Sequence, residues 1–253
     1  MNKSGAVGAG YKADLVILDN VEKVDISMVI KDGNIVDDKW LNSFTDELKD
    51  ESLLHTVVID KVTIEDIKCA RKNQNDILEL VPNQLLTLHK KEEVPGINDL
   101  FVPNKEYNKL VVAERHGKNG NIGVCPIKGY GIINGAVATT VSHDSHNIIA
   151  AGDNDEDIVC AINKLKEIQG GYVIASGGRV VDALPLALAG LISIEKAEDV
   201  QKHIGKMVEI AKKMGVSDGV DPFTTLSFMA LTVIPEVRLT EKGMFDVTEM
   251  KFI

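Results

Sequence analysis

Apolar and polar positions along this chain change rhythm several times. ADLVILD (residues 13–19) is a β-rich run, and VIKDGNIV (residues 29–36) is broken at Asp32-Gly33 between two short apolar stretches. Asp-Gly in that setting predicts a hairpin, because glycine accepts the positive φ of a tight turn. Two or three strands do not build an independent core in water, so this piece needs something to pack on. Residues 37–54 are polar with scattered apolar positions and read as a linker with a short helix.

A different pattern starts at His55. HTVVID reads as a strand, and Thr63 then caps a helix, with Asp66 completing a box-like entry. ILELVP, LLTLHKKEEV, KLVVAERH, GNIGVCPIKGYG, GAVATTVSHD and HNIIAAGD follow as glycine-punctuated strands. From Asn154 to Ile168 the period becomes helical. Asp153 or Asn154 caps this helix, and Asp155, Glu156 and Asp157 occupy the first turn, where the helix dipole favours negative charge. Ile158, Ala161, Ile162, Leu165 and Ile168 form one apolar stripe that ends at Gly170-Gly171. YVIAS and GRVVDALPL are the next strands, joined at Gly177-Gly178. A second helix spans Glu195 to Met214, with Ser193 as its cap and Ala197, Val200, Ile204, Val208 and Ala211 as its stripe. Residues 222–231 form a short helix with Pro222 in its first turn, and VIPEVRLTEKGMFDV is extended. Strands and helices alternate irregularly, which predicts an α+β fold rather than a doubly wound sheet. The predicted division is strands over 1–40, a linker over 41–54 and an α+β domain over 55–253.

Composition narrows the function classes. Lys and Arg number 28 against 38 Asp and Glu, a net charge of −10. Such a surface repels phosphate backbones, which argues against nucleic acid or an anionic membrane as partner. The longest apolar run, Ala183 to Ile194, is interrupted by Pro185 and Gly190 and is too short for a membrane span. MNKSGAVGAG lacks the apolar stretch of a secretory signal. Cys69, Cys125 and Cys160 are odd in number and show no CxxC spacing, so reduced thiols and a cytoplasmic location are expected.

The densest polar cluster is Ser142-His143-Asp144-Ser145-His146-Asn147. Two imidazoles, a carboxylate and two hydroxyls at the end of an apolar strand suit a polar substrate or a metal, although His143 and His146 need a turn to converge. A turn in which Asp144 and Ser145 bond their own backbone explains the same residues. Residues 118–123 and 128–131 supply glycines but match neither GxxxxGK[ST] nor GxGxxG, and read as strand turns. Arg115-His116 reads as an exposed strand end. The acidic run Gly152 to Asp157 lacks the ligand alternation of an EF-hand and reads as helix capping.

AVGAGYKADLVILD followed by VIKDGNIV resembles the closing segment of amidohydrolase-superfamily enzymes, in which a β-sandwich flanks a metal-bearing (β/α)8 barrel. The stretch from GNIGVCPIKGYG through SHDSHNI to YVIASGGRV, continued by DPFTTLSFMALTVIPEVRLTEKGMFDV, resembles the C-terminal domain of bacterial adenine deaminases. The resemblance implies the closing β-sandwich strands over residues 1–40 and the adenine deaminase C-terminal domain over 55–253. It further implies hydrolysis of adenine to hypoxanthine and ammonia by water activated at a binuclear iron or manganese centre. The ligands of that centre, an HxH pair among them, lie on barrel strands. No HxH occurs here, so this chain is expected to supply no catalytic residue or metal ligand, to be inactive alone, and to need a barrel from the same or a separate chain. The Ser142–Asn147 loop is then expected to face the barrel mouth and shape the adenine pocket. Two alternatives stay open: a non-catalytic module that docks a barrel or dimerises, and an independent metal site at His143, Asp144 and His146.

Overall fold

The computed structural model describes residues 3–44 and 51–253. The chain divides into two compact units, Met1–Asp50 and Glu51–Ile253.

The first unit is a three-stranded antiparallel sheet of β1 (Leu15–Asn20), β2 (Asp25–Lys31) and β3 (Asn34–Ile35). The Asp-Gly hairpin forms as expected, with φ of 49° at Asp32 and 81° at Gly33. Asp14 reinforces it by accepting the Asp32 N–H and the Lys31 ammonium, both at 2.8 Å. Val16, Ile17, Ile26 and Ile35 remain exposed, so this sheet buries little of its apolar surface. A single turn, α1 (Asp38–Leu41), is capped by the Asp37 carboxylate. The rest of the expected linker at 45–50 lies outside the described residues.

The second unit is α+β. Its strands begin with β4 (Asn75–Leu80), β5 (Thr87–Glu92), a small ribbon of β6 (Gly96–Ile97) and β7 (Leu100–Phe101), then β8 (Tyr107–Ala113) and β9 (Ile122–Lys128). They continue with β10 (Ala136–Thr139), β11 (Ile148–Gly152), α2 (Asp155–Glu167), β12 (Gly171–Ser176) and β13 (Arg179–Pro185). Last come α3 (Ala197–Lys213), α4 (Thr224–Phe228) and β14 (Val237–Thr240), β15 (Gly243–Asp246) and β16 (Lys251–Phe252). Eight strands form one sheet in the order β13-β12-β10-β11-β8-β9-β4-β5, antiparallel except where β4 runs parallel to β9.

The central strands read as unbroken apolar runs because both faces of this sheet are covered. On one face Val111, Ala113, Ala136, Ala138, Ile148, Ala150 and Ala175 meet Ile158, Ala161, Ile162 and Leu165 of α2. The alanines on that side let the helix lie close. The opposite face presents the bulkier Leu110, Val112, Ile127, Ile149 and Ile174 to α3, α4 and the β14–β15 hairpin. Each fully buried Leu or Ile contributes about 1.5–3 kcal/mol, so these two layers dominate the unit's stability.

Four expectations are corrected. HTVVID is not a ladder strand. It makes one bridge, Val58 to His116, and amides in and just after it are taken by side chains in α2 and just beyond its end: Gln169 Oε1 accepts from Val57 N–H at 3.1 Å and Asn163 Oδ1 from Val62 N–H at 3.0 Å. After Thr63 only a 3-10 turn (Ile64–Ile67) forms, with the Asp66 carboxylate taking both the Thr63 N–H and hydroxyl. Ser193 does not cap α3. Lys196 holds the cap position, while Ser193 Oγ accepts from Glu195 N–H in the preceding turn. At α4 the capping falls to Asp221, which accepts from Phe223 and Thr224 N–H, with Pro222 outside the helix. No helix among the described residues is long and apolar enough to cross a membrane.

Candidate functional site

β10 and β11 are neighbours, so residues 140–147 close a loop at one end of the sheet. The β8–β9 turn (114–121) and the segment after β13 (186–192) meet the loop there. This is where the polar cluster of the sequence stands.

The loop is built by its own backbone and its surroundings. His146 N–H donates to Ser142 O at 2.7 Å, and Ser145 Oγ accepts weakly from Asn147 N–H at 3.4 Å. His143 N–H donates to Ser227 O at 3.1 Å, seating the loop on α4, and its ring lies 4.7 Å from that of Phe228. Ring nitrogen Nε2 of His116 is 2.8 Å from Ser145 O, and Asn147 Nδ2 donates to Glu241 at 3.2 Å. Asp144 and Ser145 are exposed, His143 and His146 are half-buried, and Ser142 and Asn147 are buried. His146 has φ +50°, a left-handed conformation uncommon for a side chain of this type.

Three polar atoms in this loop are buried without a hydrogen-bond partner among the described residues: Ser142 Oγ, His146 Nδ1 and Asn147 Oδ1. More than nine in ten buried polar groups find a partner, so three unpartnered atoms within six residues set this loop apart from the rest of the sheet end. Burial, with the positive charges of Arg115 and His143 beside it, pushes the His146 imidazole below its ordinary value. The ring is therefore neutral at pH 7, donating from one nitrogen and accepting at the other. A cavity of about 420 Å³ beside the loop is bordered by His116, Lys118, Ser145, Asn147 and Glu241.

The turn reading is met at Ser145, which bonds its own backbone, and leaves three side-chain atoms of the loop unpartnered among the described residues. The metal reading fares otherwise. The rings of His143 and His146 are 6.3 Å apart, and among the described residues no group of three or more His, Cys, Asp or Glu is placed to hold a metal ion. These residues do not fit a binuclear centre, nor do His143, Asp144 and His146 converge on one ion.

Comparison with known proteins decides the family. The adenine deaminase C-terminal domain family matches residues 84–251. An adenine deaminase of Desulfitobacterium hafniense is 41% identical over 254 residues, covering 100% of this chain and 44% of the relative. One of Clostridium acetobutylicum is 39% identical over 261 residues, covering 100% of the chain and 45% of the relative. One of Leuconostoc citreum is 40% identical, covering 100% and 44%. The chain belongs to the adenine deaminase C-terminal domain family. It spans less than half the length of these relatives.

Within this family member, the residues that sequence reasoning undervalued lie just before the β8–β9 turn. Arg115 is not an exposed strand end: it is 1% exposed, and its guanidinium reaches the carbonyls of His146, Thr56 and Ala189. Glu114 is also buried, its carboxylate accepting N–H groups from His116, Lys118, Asn119 and Gly120. Burial would raise the Glu114 carboxyl, but those four amides outweigh it and hold the group below its ordinary value. The amides of Lys118, Asn119 and Gly120 thus serve an internal carboxylate and are not free for a phosphate. Only the adjacency of Arg115 to His116 hinted at this in the sequence.

The acidic run lies at the other end of β11 and acts as helix capping. Asp153 accepts from Asn134 and Gly135 N–H, Asn154 Oδ1 from Asp157 N–H at 2.8 Å, and Asp157 from Gly177 and Gly178 N–H.

Proposed function

We propose that this chain is the C-terminal portion of an adenine deaminase and that its Ser142–Asn147 loop borders the adenine pocket of the complete enzyme. The observation that carries this reading is the set of unpartnered buried atoms, Ser142 Oγ, His146 Nδ1 and Asn147 Oδ1, gathered in one loop. A purine edge alternates ring-nitrogen acceptors with N–H donors, and a neutral imidazole, a hydroxyl and an amide carbonyl complement such an edge. The loop's role is then to bind and orient the base and to exclude water from its edge; the hydrolysis of adenine to hypoxanthine and ammonia is completed elsewhere.

The binuclear iron or manganese centre expected from the resemblance is assigned to the length of the enzyme that the relatives carry beyond the matched portion. The same remainder is proposed to contribute the strands that close a β-sandwich over residues 1–40. The exposed Val16, Ile17, Ile26 and Ile35 of the first unit support that assignment, and equally support the second reading, a docking or self-associating module. Light scattering separates the two: a mass that rises with concentration favours self-association. A cytoplasmic enzyme of purine breakdown is the setting this reading implies.

The test is deamination of adenine by an enzyme containing this domain, followed as ammonia release. His143→Ala and His146→Ala are expected to lower kcat/KM at least tenfold with little change in melting temperature. Unaltered turnover in both variants rejects the pocket reading. The chain by itself, supplied with Fe(II) or Mn(II), is expected to release no ammonia.

A further inference from the structure

We propose that Arg115 is the positioning residue of the Ser142–Asn147 loop, fixing the backbone at His146 and with it the placement of the imidazole. The inference deepens the pocket reading and rests on it for its functional meaning.

Arg115 sits two residues beyond the end of β8, and its own backbone carbonyl accepts from Val58 N–H at 2.7 Å. Its side chain is buried without a carboxylate partner among the described residues, and its hydrogen bonds go to neutral oxygens from three segments remote in sequence. Nε donates to His146 O, Nη1 lies 3.3 Å from both Thr56 O and Oγ1, and Nη2 donates to Ala189 O at 3.1 Å. A planar guanidinium with several fixed donors suits this task, whereas a lysine ammonium would reach fewer of these oxygens.

The surroundings are shaped to the guanidinium. Ala189 and Gly190 both take positive φ, 57° and 70°, which turns the Ala189 carbonyl toward Arg115. A Cβ at Gly190 would stand 2.6 Å from Nη1. Thr140 Oγ1 donates to Gly190 O at 2.5 Å, tying the same segment back to the start of the loop. The residue that Arg115 grips, His146, is itself left-handed, and its two backbone groups are both taken: N–H by Ser142 O and C=O by Arg115. The backbone of His146 is thus held from within the protein while Nδ1 of its ring is left unpartnered. Burial acts first to favour the neutral imidazole; of the charged and titratable groups around that ring, Arg115, His143 and His116 act the same way and Asp144 opposes them.

The experiment compares Arg115→Gln and Arg115→Lys in the full chain by native-state hydrogen exchange and by NMR of the His146 ring. Val57→Ala, a core truncation in the layer beneath α2, serves as the control. With Arg115→Gln the His146 amide is expected to exchange at least tenfold faster relative to the amides of β8 and β11. The His146 ring titration should move upward. Arg115→Lys should restore most of the titration shift but only part of the exchange protection, and Val57→Ala should change loop and strands in step. Loop exchange that rises only in proportion to the strands, with an unmoved His146 titration, overturns the proposal. If Arg115→Gln does not fold, the same ratio measured in Arg115→Lys decides.

These measurements do not require the loop to meet adenine. If His146→Ala leaves deamination intact, the pocket reading fails while the loop result stands. If His146→Ala lowers turnover but Arg115→Gln alters neither kcat nor KM, the positioning role fails and the pocket reading stands.

Discussion

The two ends of β11 carry polar clusters of similar density, and they are finished in opposite ways. At the α2 end, Asp153, Asn154 and Asp157 meet the backbone amides of two turns and of the helix itself, and none of their side-chain atoms is buried without a partner. At the other end, Glu114 and Arg115 are engaged just as fully, yet Ser142, His146 and Asn147 each keep one buried atom unpartnered. Polar density therefore does not distinguish a structural cluster from a site. Completion of hydrogen bonding is what differs between the two ends. A helix cap is a local device whose partners lie a few residues away or in the adjoining turn. The loop at the other end is held by groups that are fully used, while three of its own side-chain atoms stay unpartnered among the described residues.

The largest effect should come from the completed end. Asp157 is 2% exposed and accepts from Gly177 N–H at 3.2 Å and Gly178 N–H at 2.7 Å, besides lying in the first turn of α2. Asp157→Ala leaves two hairpin amides without acceptors and removes a charge that favours the helix terminus. Denaturant unfolding should show a loss of about 3 kcal/mol. Asn154→Ala, which removes the cap acceptor for Asp157 N–H, should cost about 1 kcal/mol. If either change proves neutral, the α2 end is not the completed structure that the comparison requires.

Glu114 sharpens the contrast by pH. Its folded carboxyl lies below its ordinary value, so it contributes stability that is complete above the unfolded value of about 4.3. That contribution is lost as pH falls through the folded value, because the protonated carboxyl accepts the four turn amides less well. Glu114→Gln should flatten the acid limb of the stability curve between about pH 5 and the folded value. An acid limb unchanged by the substitution would mean that the amides of residues 116–120 do not depend on this carboxylate.

How much of this was legible depends on the range of each interaction. The α2 helix, its Asn154 cap and its apolar stripe were readable because period and cap are local. The Asp32-Gly33 hairpin was readable for the same reason. HTVVID looked like a strand because Val57, Val58 and Ile59 have strand character, but its backbone partners are the Gln169 side chain and the Arg115 carbonyl, both remote in sequence. The Ser142–Asn147 cluster could be singled out by residue type, whereas its division into used and unused atoms exists only once β8, β10, β11 and α4 are assembled. Arg115 shows the limit most clearly. Its acceptors come from residues 56, 146 and 189, and no spacing within the sequence foretells that they converge.

The smallest effect is the most discriminating, because its sign differs. Ser142 is 0% exposed and its hydroxyl has no partner among the described residues, so the folded protein carries the desolvation cost of that group without a compensating bond. Ser142→Ala removes the hydroxyl and leaves a methyl group in the same space. Folding should become more favourable, by up to about 1 kcal/mol, in contrast to the losses at Asp157 and Asn154. If the loop borders the adenine pocket as proposed, adenine turnover by the enzyme containing this domain should fall in the same variant. A gain in stability joined to a loss in turnover is the signature of a group retained for recognition. Destabilisation by more than about 1 kcal/mol would instead mean that the hydroxyl is bonded in solution, through a buried water, and that the two ends of β11 are finished alike.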